Sequence, residues 1–191
     1  ITYAWDLNND GVQVFQSPDT TIRGTRVKIL GGKFGNAIWV RQSEGTQILD
    51  SFFDVFTEMK ATGIGAFDSP MVDLENNQVT VTSTETAFGV RLVRSPDSER
   101  VRGALYVVGG LSACGVQVLG SPGTAISQVV GKVKSPGHAT GIFVDNAPSI
   151  DPNAGCGDVI VKPAGPGLAD VMIEQNDFDV MGGESAMGLA L

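Results

Sequence analysis

The chain has 191 residues, a net charge of −8 at pH 7 and only 18% charged residues. This negative balance excludes a nucleic-acid partner, because binding phosphates requires a basic face. No run of about 18 or more apolar residues occurs, so we expect no membrane-spanning helix. The 25 glycines fit a β-protein with many corners better than a disordered chain.

One short phrase recurs along the chain at a step of 26 residues. Its six copies in register begin at Asp10, Asn36, Thr62, Phe88, Cys114 and Thr140. A seventh copy, ADVMIEQND, begins at Ala169, 29 residues after Thr140, so we expect about three extra residues in the last interval. A fixed period of this length indicates one supersecondary unit stacked on the next.

Each repeat carries two stretches of alternating apolar residues, which is the pattern of a β-strand. The first stretch lies in the phrase, as at Ile64 and Ala66. The second stretches are Val27/Ile29, Phe53/Val55, Val79/Val81, Leu105/Val107 and Val159/Val161. Residues 48–60 have helix-like spacing, but the register favours a strand at Phe53, because tertiary context overrides propensity.

Turn residues separate the strands. Ser-Pro pairs such as Ser69-Pro70 follow the phrase, and proline belongs at a corner because it has no backbone N–H to donate. The second residue of the phrase is glycine in five of the six copies, as at Gly63, which indicates that a bend or a neighbouring backbone leaves no room for a side chain.

Equivalent strands one repeat apart run in the same direction, so stacking them gives parallel ladders about 4.8 Å apart. The sequence therefore predicts an all-β fold, a right-handed parallel β-helix (solenoid) of about seven coils with 26 residues per coil. This pattern resembles the architecture of the pectate-lyase-like proteins, tailspikes and related adhesins, without indicating one family. We expect a single solenoid domain over 1–191 that belongs to a longer chain or a homo-oligomer, with 180–191 as a C-terminal cap or continuation.

The candidate site is a polar and aromatic cluster in coils two to four. Polysaccharide lyases of the architecture that this chain resembles use Arg or Lys as a base beside a uronate carboxylate, which a cation or a second Arg neutralises. The resemblance implies a catalytic set and a substrate-binding set, namely Arg91, Arg94 and Asp68 for the first and Trp39 and Arg41 for the second. The alternative is a surface ion-pair network.

A second candidate is acidic. Asp145 and Glu174 are predicted to share a column of consecutive coils, which would suit a Ca²⁺ ion or a retaining glycosidase; solvated turn carboxylates are the alternative. A Ser-His-Asp triad would have to use the sole histidine, His138, but no nucleophile elbow is present. The two cysteines, Cys114 and Cys156, lie at different points of the repeat, so the register leaves a disulfide open.

Two functions follow from these patterns. The first is an extracellular β-helix that binds a polysaccharide or cell-surface glycan, with or without cleaving it by lyase or hydrolase chemistry. The second is a non-enzymatic spike, fibre or adhesin segment that acts as a rigid oligomeric spacer. The second predicts that outward apolar residues pack against another chain, namely Phe15, Phe67, Tyr106 and Phe143. Both place the protein outside the cell or on a virion or cell surface.

Overall fold

The computed structural model describes residues 8–98, 100–145 and 171–190. Sixteen strands and no helix occur within these ranges. The strands are β1 (Asn8–Phe15), β2 (Thr21–Arg23), β3 (Arg26–Leu30), β4 (Phe34–Arg41), β5 (Gln47–Leu49), β6 (Phe52–Thr57), β7 (Lys60–Phe67), β8 (Asp73–Ser83), β9 (Thr86–Val93), β10 (Arg100–Gly109), β11 (Ser112–Leu119), β12 (Ala125–Ser135), β13 (His138–Asp145), β14 (Met172–Glu174), β15 (Asp177–Gly182) and β16 (Ser185–Ala190).

Seven of these strands form one parallel sheet, sheet A, in the order β1-β4-β7-β9-β11-β13-β16. The recurring phrase lies in its first six strands. Thr62 pairs with Asn36 on one side and with Phe88 on the other, which is the predicted step of 26 residues. The predicted parallel β-solenoid and its register are therefore confirmed for the six phrases.

The other nine strands form sheet B, which closes the remaining sides of each coil. Residues 48–60, whose spacing resembles that of a helix, include the end of β5 and all of β6. Phe53 in β6 pairs with Val27 and Val79, as the register predicted. Beyond Leu105 the same column continues with Gly131 and Phe178. The second stretch predicted at Val159/Val161 lies outside the described ranges.

The last turn also differs from the sequence prediction. Sheet A continues from β13 into β16, where His138 pairs with Ser185, 47 residues later. The phrase predicted from Ala169 reaches instead into β14 of sheet B, where Ile173 pairs with Ile126. The insertion is therefore 21 residues, the difference between 47 and 26, and the solenoid has about five turns rather than seven. Residues 180–190, predicted as a cap or continuation, complete β15 and form β16.

The inward residues of both sheets pack into one continuous core. The alternation in the phrase is confirmed, since Ile64 and Ala66 are buried in this core together with Val79 and Val81 of sheet B. Burying each Val, Leu or Ile side chain contributes about 1.5–3 kcal/mol to folding. The stacked core is what makes every coil depend on its neighbours.

A ladder of serines closes the corner after the first five strands of sheet A. The Ser43 N–H donates to the Ser69 hydroxyl at 3.2 Å, and the Ser69 N–H donates to the Ser95 hydroxyl at 3.2 Å. The Ser69 hydroxyl donates back to the Phe67 carbonyl at 2.8 Å. These buried hydroxyls are therefore satisfied, and the predicted corner at Ser-Pro is confirmed.

The glycine of the phrase stands where two coils touch. A Cβ added at Gly63 would lie 2.6 Å from the carbonyl oxygen of Gly89, and one added at Gly89 would lie 2.6 Å from that of Gly115. A side chain at these positions would push the next coil away. The predicted reason for glycine, a close neighbouring backbone, is confirmed.

Candidate functional site

The candidate site lies on the outward face of sheet A, where side chains alternate with core residues. One outward column that runs across the sheet contains Gln13, Trp39, Gly65, Arg91, Gln117, Phe143 and Ala190. Arg41 lies in the next column, opposite Phe67. Asp68 and Arg94 occupy the corner that follows β7 and β9, so the structure brings the five predicted residues into one region.

Trp39 is a half-buried ring held flat against its neighbour. Its ring centroid lies 4.1 Å from that of Phe67, with 26° between the planes. Gly65 makes this stack possible, because a Cβ at Gly65 would lie 3.0 Å from the Phe67 ring and 3.2 Å from the Trp39 ring. Such aromatic pairs contribute about 0.5–1.5 kcal/mol beyond their area burial.

Arg91, predicted as a catalytic base, is only 2% exposed. Its guanidinium carbon lies 5.7 Å from the ring centroid of Phe67 and 4.7 Å from that of Phe88. The Arg91 Nε–H donates to Gln117 Oε1 at 2.6 Å. A cation between two aromatic faces is attracted to both, so Arg91 supports the Phe67 ring on which Trp39 rests.

Arg94 and Asp68 form a two-pronged ion pair at the corner. The Arg94 Nε and Nη2 groups donate to Asp68 Oδ1 and Oδ2 at 2.5 Å and 3.0 Å. The hydrogen bond from Arg94 lowers the pKa of Asp68; partial burial opposes this shift, and the charge of Arg41 adds to it. The same hydrogen bond raises the pKa of Arg94. This pair matches the predicted alternative of a surface ion pair.

The first two strands of sheet A and the residues after them expose polar and aromatic side chains that were not among the predicted site residues. Gln13, Phe15, Gln16 and Gln42 are exposed, and Phe15 is 53% exposed. The Gln16 Nε2 group donates to Gln42 Oε1 at 3.2 Å, one coil away. We call the exposed residues around Trp39 the β1/β4 patch, namely Gln13, Phe15, Gln16, Trp39, Arg41 and Gln42. The signal in the sequence was the 26-residue register, which puts Gln13 in the column of Trp39 and Phe15 in that of Arg41. It puts Gln16 and Gln42 in the column of Asp68 and Arg94.

The same face is buried further along the solenoid. A second apolar cluster, separate from the core, occupies the outward side of β7 to β13; its members are Phe67, Phe88, Val93, Cys114, Leu119 and Phe143. Phe67 and Phe143 were predicted to pack against another chain, and this prediction is wrong because both are buried within this one. Phe15 and Tyr106, from the same prediction, are exposed.

Cys114 lies in this outward cluster and is disulfide-bonded. The sequence contains one other cysteine, Cys156, which lies outside the described ranges. The repeat register had left a disulfide open, because it relates residues of one column and the two cysteines do not share a column.

The predicted shared column of Asp145 and Glu174 is wrong. Asp145 lies opposite Leu119 in sheet A, whereas Glu174 lies opposite Ser127 in sheet B. The shared column assumed an insertion of about three residues, and the longer insertion moves Glu174 to the other sheet. Nowhere in the described part of the chain do three or more His, Cys, Asp or Glu side chains come together as a metal site.

His138 has two polar neighbours on the last turn. Its Nδ1 lies 2.9 Å from the Ser185 hydroxyl, and its Nε2 lies 3.2 Å from the Glu184 carboxylate. These are the residue types of a hydrolytic triad. However, the N–H groups of Glu184 and Ser185 both donate to the carbonyl of Gly137, so they cannot bind a developing oxyanion.

No protein-family model, curated protein or solved structure matches this chain. Across the described ranges, no helix is long and apolar enough to cross a membrane.

Proposed function

We propose that the protein binds a polysaccharide or cell-surface glycan through the β1/β4 patch. The observation that carries this proposal is the half-buried Trp39 ring, which is held flat on Phe67 at 4.1 Å. Sugar rings have an apolar face that packs against aromatic side chains, and binding sites combine such surfaces with a few polar groups. A ring that is already fixed loses little conformational entropy when a ligand packs on it.

Amide side chains supply the polar part of this surface. Gln13, Gln16 and Gln42 are exposed beside Trp39, and each amide offers two N–H donors and one carbonyl acceptor. Sugar hydroxyls need both kinds of partner. The hydrogen bond between Gln16 and Gln42 links two coils, so amides repeat along the solenoid axis, which suits a linear polymer.

The geometry supports binding more directly than cleavage. A general base must come within hydrogen-bonding distance of the proton that it removes. Arg91 is 2% exposed, and Arg94 already donates two hydrogen bonds to Asp68. The proposal therefore assigns these three residues to supporting the surface and assigns no catalytic step.

We also propose that the protein works outside the cell or on a virion or cell surface. The disulfide at Cys114 supports this location, because disulfides persist in oxidising compartments and are rare in the cytosol. A glycan-binding surface would meet its ligand in the same location.

The test is a binding titration of the whole chain against soluble neutral and acidic polysaccharides, by calorimetry or affinity electrophoresis. Trp39→Ala should abolish binding while the unfolding midpoint shows that the variant is folded. Tyr106→Ala is the matched control, since Tyr106 is an aromatic residue exposed on sheet B, and it should bind like the wild type. Absence of binding to every polymer, or wild-type binding by Trp39→Ala, would overturn the proposal.

A second candidate is the rigid oligomeric spacer, which one observation favours. Leu30 and Phe56 pair across β3 and β6, and both are exposed on sheet B, as is Phe52. Light scattering of the purified chain would test this candidate. A multimer that Phe56→Lys dissociates would support it, and a monomer at all concentrations would exclude a self-assembled spacer.

A further inference from the structure

The charges near Trp39 are few and do not cancel. Arg41 is exposed at the C-terminal end of β4, next to Phe15 in the neighbouring strand. Asp10 is the carboxylate of β1, but it accepts hydrogen bonds from Gln13 and Asn36, both at 2.7 Å. It lies five residues before Phe15, which is about 16 Å along a strand. Arg41 is therefore the exposed charged side chain next to Phe15, whereas Arg91 is buried.

The corner beside Arg41 does not neutralise it. Asp68 lies in this corner, and the charge of Arg41 contributes to lowering its pKa. Both carboxylate oxygens of Asp68, however, already accept hydrogen bonds from Arg94. The carboxylate of Asp68 balances one of the two guanidinium groups of Arg41 and Arg94, so these three residues carry one positive charge in excess. Among the ion pairs formed by described residues, none includes Arg41.

We infer that the glycan bound by the β1/β4 patch is anionic, with a carboxylate or sulfate that Arg41 binds while the sugar ring packs on Trp39. This inference rests on the proposed function. A guanidinium group offers paired N–H donors whose geometry matches a carboxylate or sulfate, and charge-assisted hydrogen bonds of this kind are the strong ones.

The net charge of −8 does not oppose this recognition at contact distance. At physiological ionic strength the field of an exposed charge is screened over about 8 Å. The remaining acids of the chain therefore repel a polyanion weakly, and the groups within the patch determine its preference. Arg41 is the charged group of the patch.

The experiment compares polymers that differ only in charge. Polygalacturonate and its methyl-esterified form test the carboxylate, and dextran sulfate and dextran test the sulfate. The wild type should bind at least one anionic form about tenfold more tightly than its neutral counterpart, as a charge-assisted hydrogen bond would give. Arg41→Gln should reduce this tenfold preference for the anionic form to about none, whereas Trp39→Ala should weaken binding of both forms.

Arg26→Gln is the control, because it removes the same charge from an exposed position on sheet B. Equal binding of charged and neutral polymers would overturn the inference and leave the proposed function intact. Equal losses in Arg41→Gln and Arg26→Gln would also overturn it, since attraction would then depend on total charge. Absence of binding to all four polymers would overturn the proposed function itself.

Discussion

The outward face of sheet A has two parts with the same backbone and opposite environments. On β1 and β4 it exposes Gln13, Phe15 and Arg41, whereas from β7 to β13 it holds a buried apolar cluster that includes Phe88 and Leu119. Both parts obey one register and one alternation. The comparison shows that alternation identifies which side chains face away from the core, but not whether they meet water.

Phe67 joins the two parts. It belongs to the buried cluster, stacks on Trp39 of the exposed part, and lies against the guanidinium of Arg91. The order of the buried cluster therefore supports the ring that we propose binds sugar. The following variants test this comparison by changing equivalent chemistry in each part.

The largest difference is expected from removing one phenyl ring in each part. Phe88→Ala should lower the free energy of unfolding by about 3–5 kcal/mol, because it leaves a cavity in a buried cluster. Phe15 is 53% exposed, so Phe15→Ala should change it by about 0.5 kcal/mol or less. Urea unfolding followed by circular dichroism measures both values, and equal effects would contradict the division of the face.

Breaking the disulfide should have the next largest effect. Cys114→Ser should lower the free energy of unfolding by about 2–4 kcal/mol, since the cross-link restricts the unfolded chain. Adding a reductant to the wild type should reproduce this loss and should not affect the variant. Thiol counting by mass spectrometry after alkylation under denaturing conditions provides the check, because two reactive thiols in the untreated wild type would contradict the bond.

A smaller effect is expected from exchanging arginine for glutamine in each part. Arg91→Gln should cost about 1–3 kcal/mol, because Gln117 loses a buried hydrogen-bond donor. The exposed Arg41→Gln should be within about 0.5 kcal/mol of the wild type. Tryptophan fluorescence should also shift in Arg91→Gln if Phe67 no longer holds Trp39 in place. Equal stability of the two variants would show that Arg91 is not buried in solution.

The smallest effect is the pH dependence of the Asp68–Arg94 pair. The pKa of Asp68 is lowered in the folded state, so the pair stabilises the protein above the ordinary aspartate pKa of about 3.9 and loses this contribution as the pH falls through the lowered value. The pair is largely exposed, so the contribution is about 0–1 kcal/mol.

Unfolding of the wild type and Asp68→Asn between pH 7 and about pH 2 isolates this contribution from that of the other carboxylates. The stability difference between the two proteins should shrink as the pH falls, and Arg94→Gln should show the same trend. A difference that grows in acid would contradict the sign of the shift.

Much of the fold could be predicted because each repeat has the same local residue pattern, and each part of this pattern has its own physical reason. The alternation at Ile64 and Ala66, the glycine at Gly63 and the serine at Ser69 each have a local reason, and the structure confirms each of them. The strand at Phe53 required the register, because its local propensity indicated a helix. The prediction of a seventh phrase from Ala169 was wrong, because residues 171–173 alternate in the same way as the phrase but belong to sheet B.

For the candidate site, the sequence predicted which residues lie near one another, but not how deeply each is buried. The repeat register alone places Trp39, Arg41 and Arg91 in adjacent outward columns, and the pairing of Asp68 with Arg94 follows from their shared corner. The burial of Arg91 and the separation of Asp145 from Glu174 did not follow. The first depends on the side chains packed around the Arg91 guanidinium, and the second on an insertion that interrupts the 26-residue period.

The sequence by itself determined the period, the strand direction and the residues that face the core, since these follow from steric and hydrophobic rules that act within one repeat and between neighbours. Only the tertiary structure decided that the outward face is exposed at Trp39 and buried at Phe88, and that Cys114 forms a disulfide. The physical reason is that burial depends on everything packed around a side chain, whereas a repeat specifies only its own column.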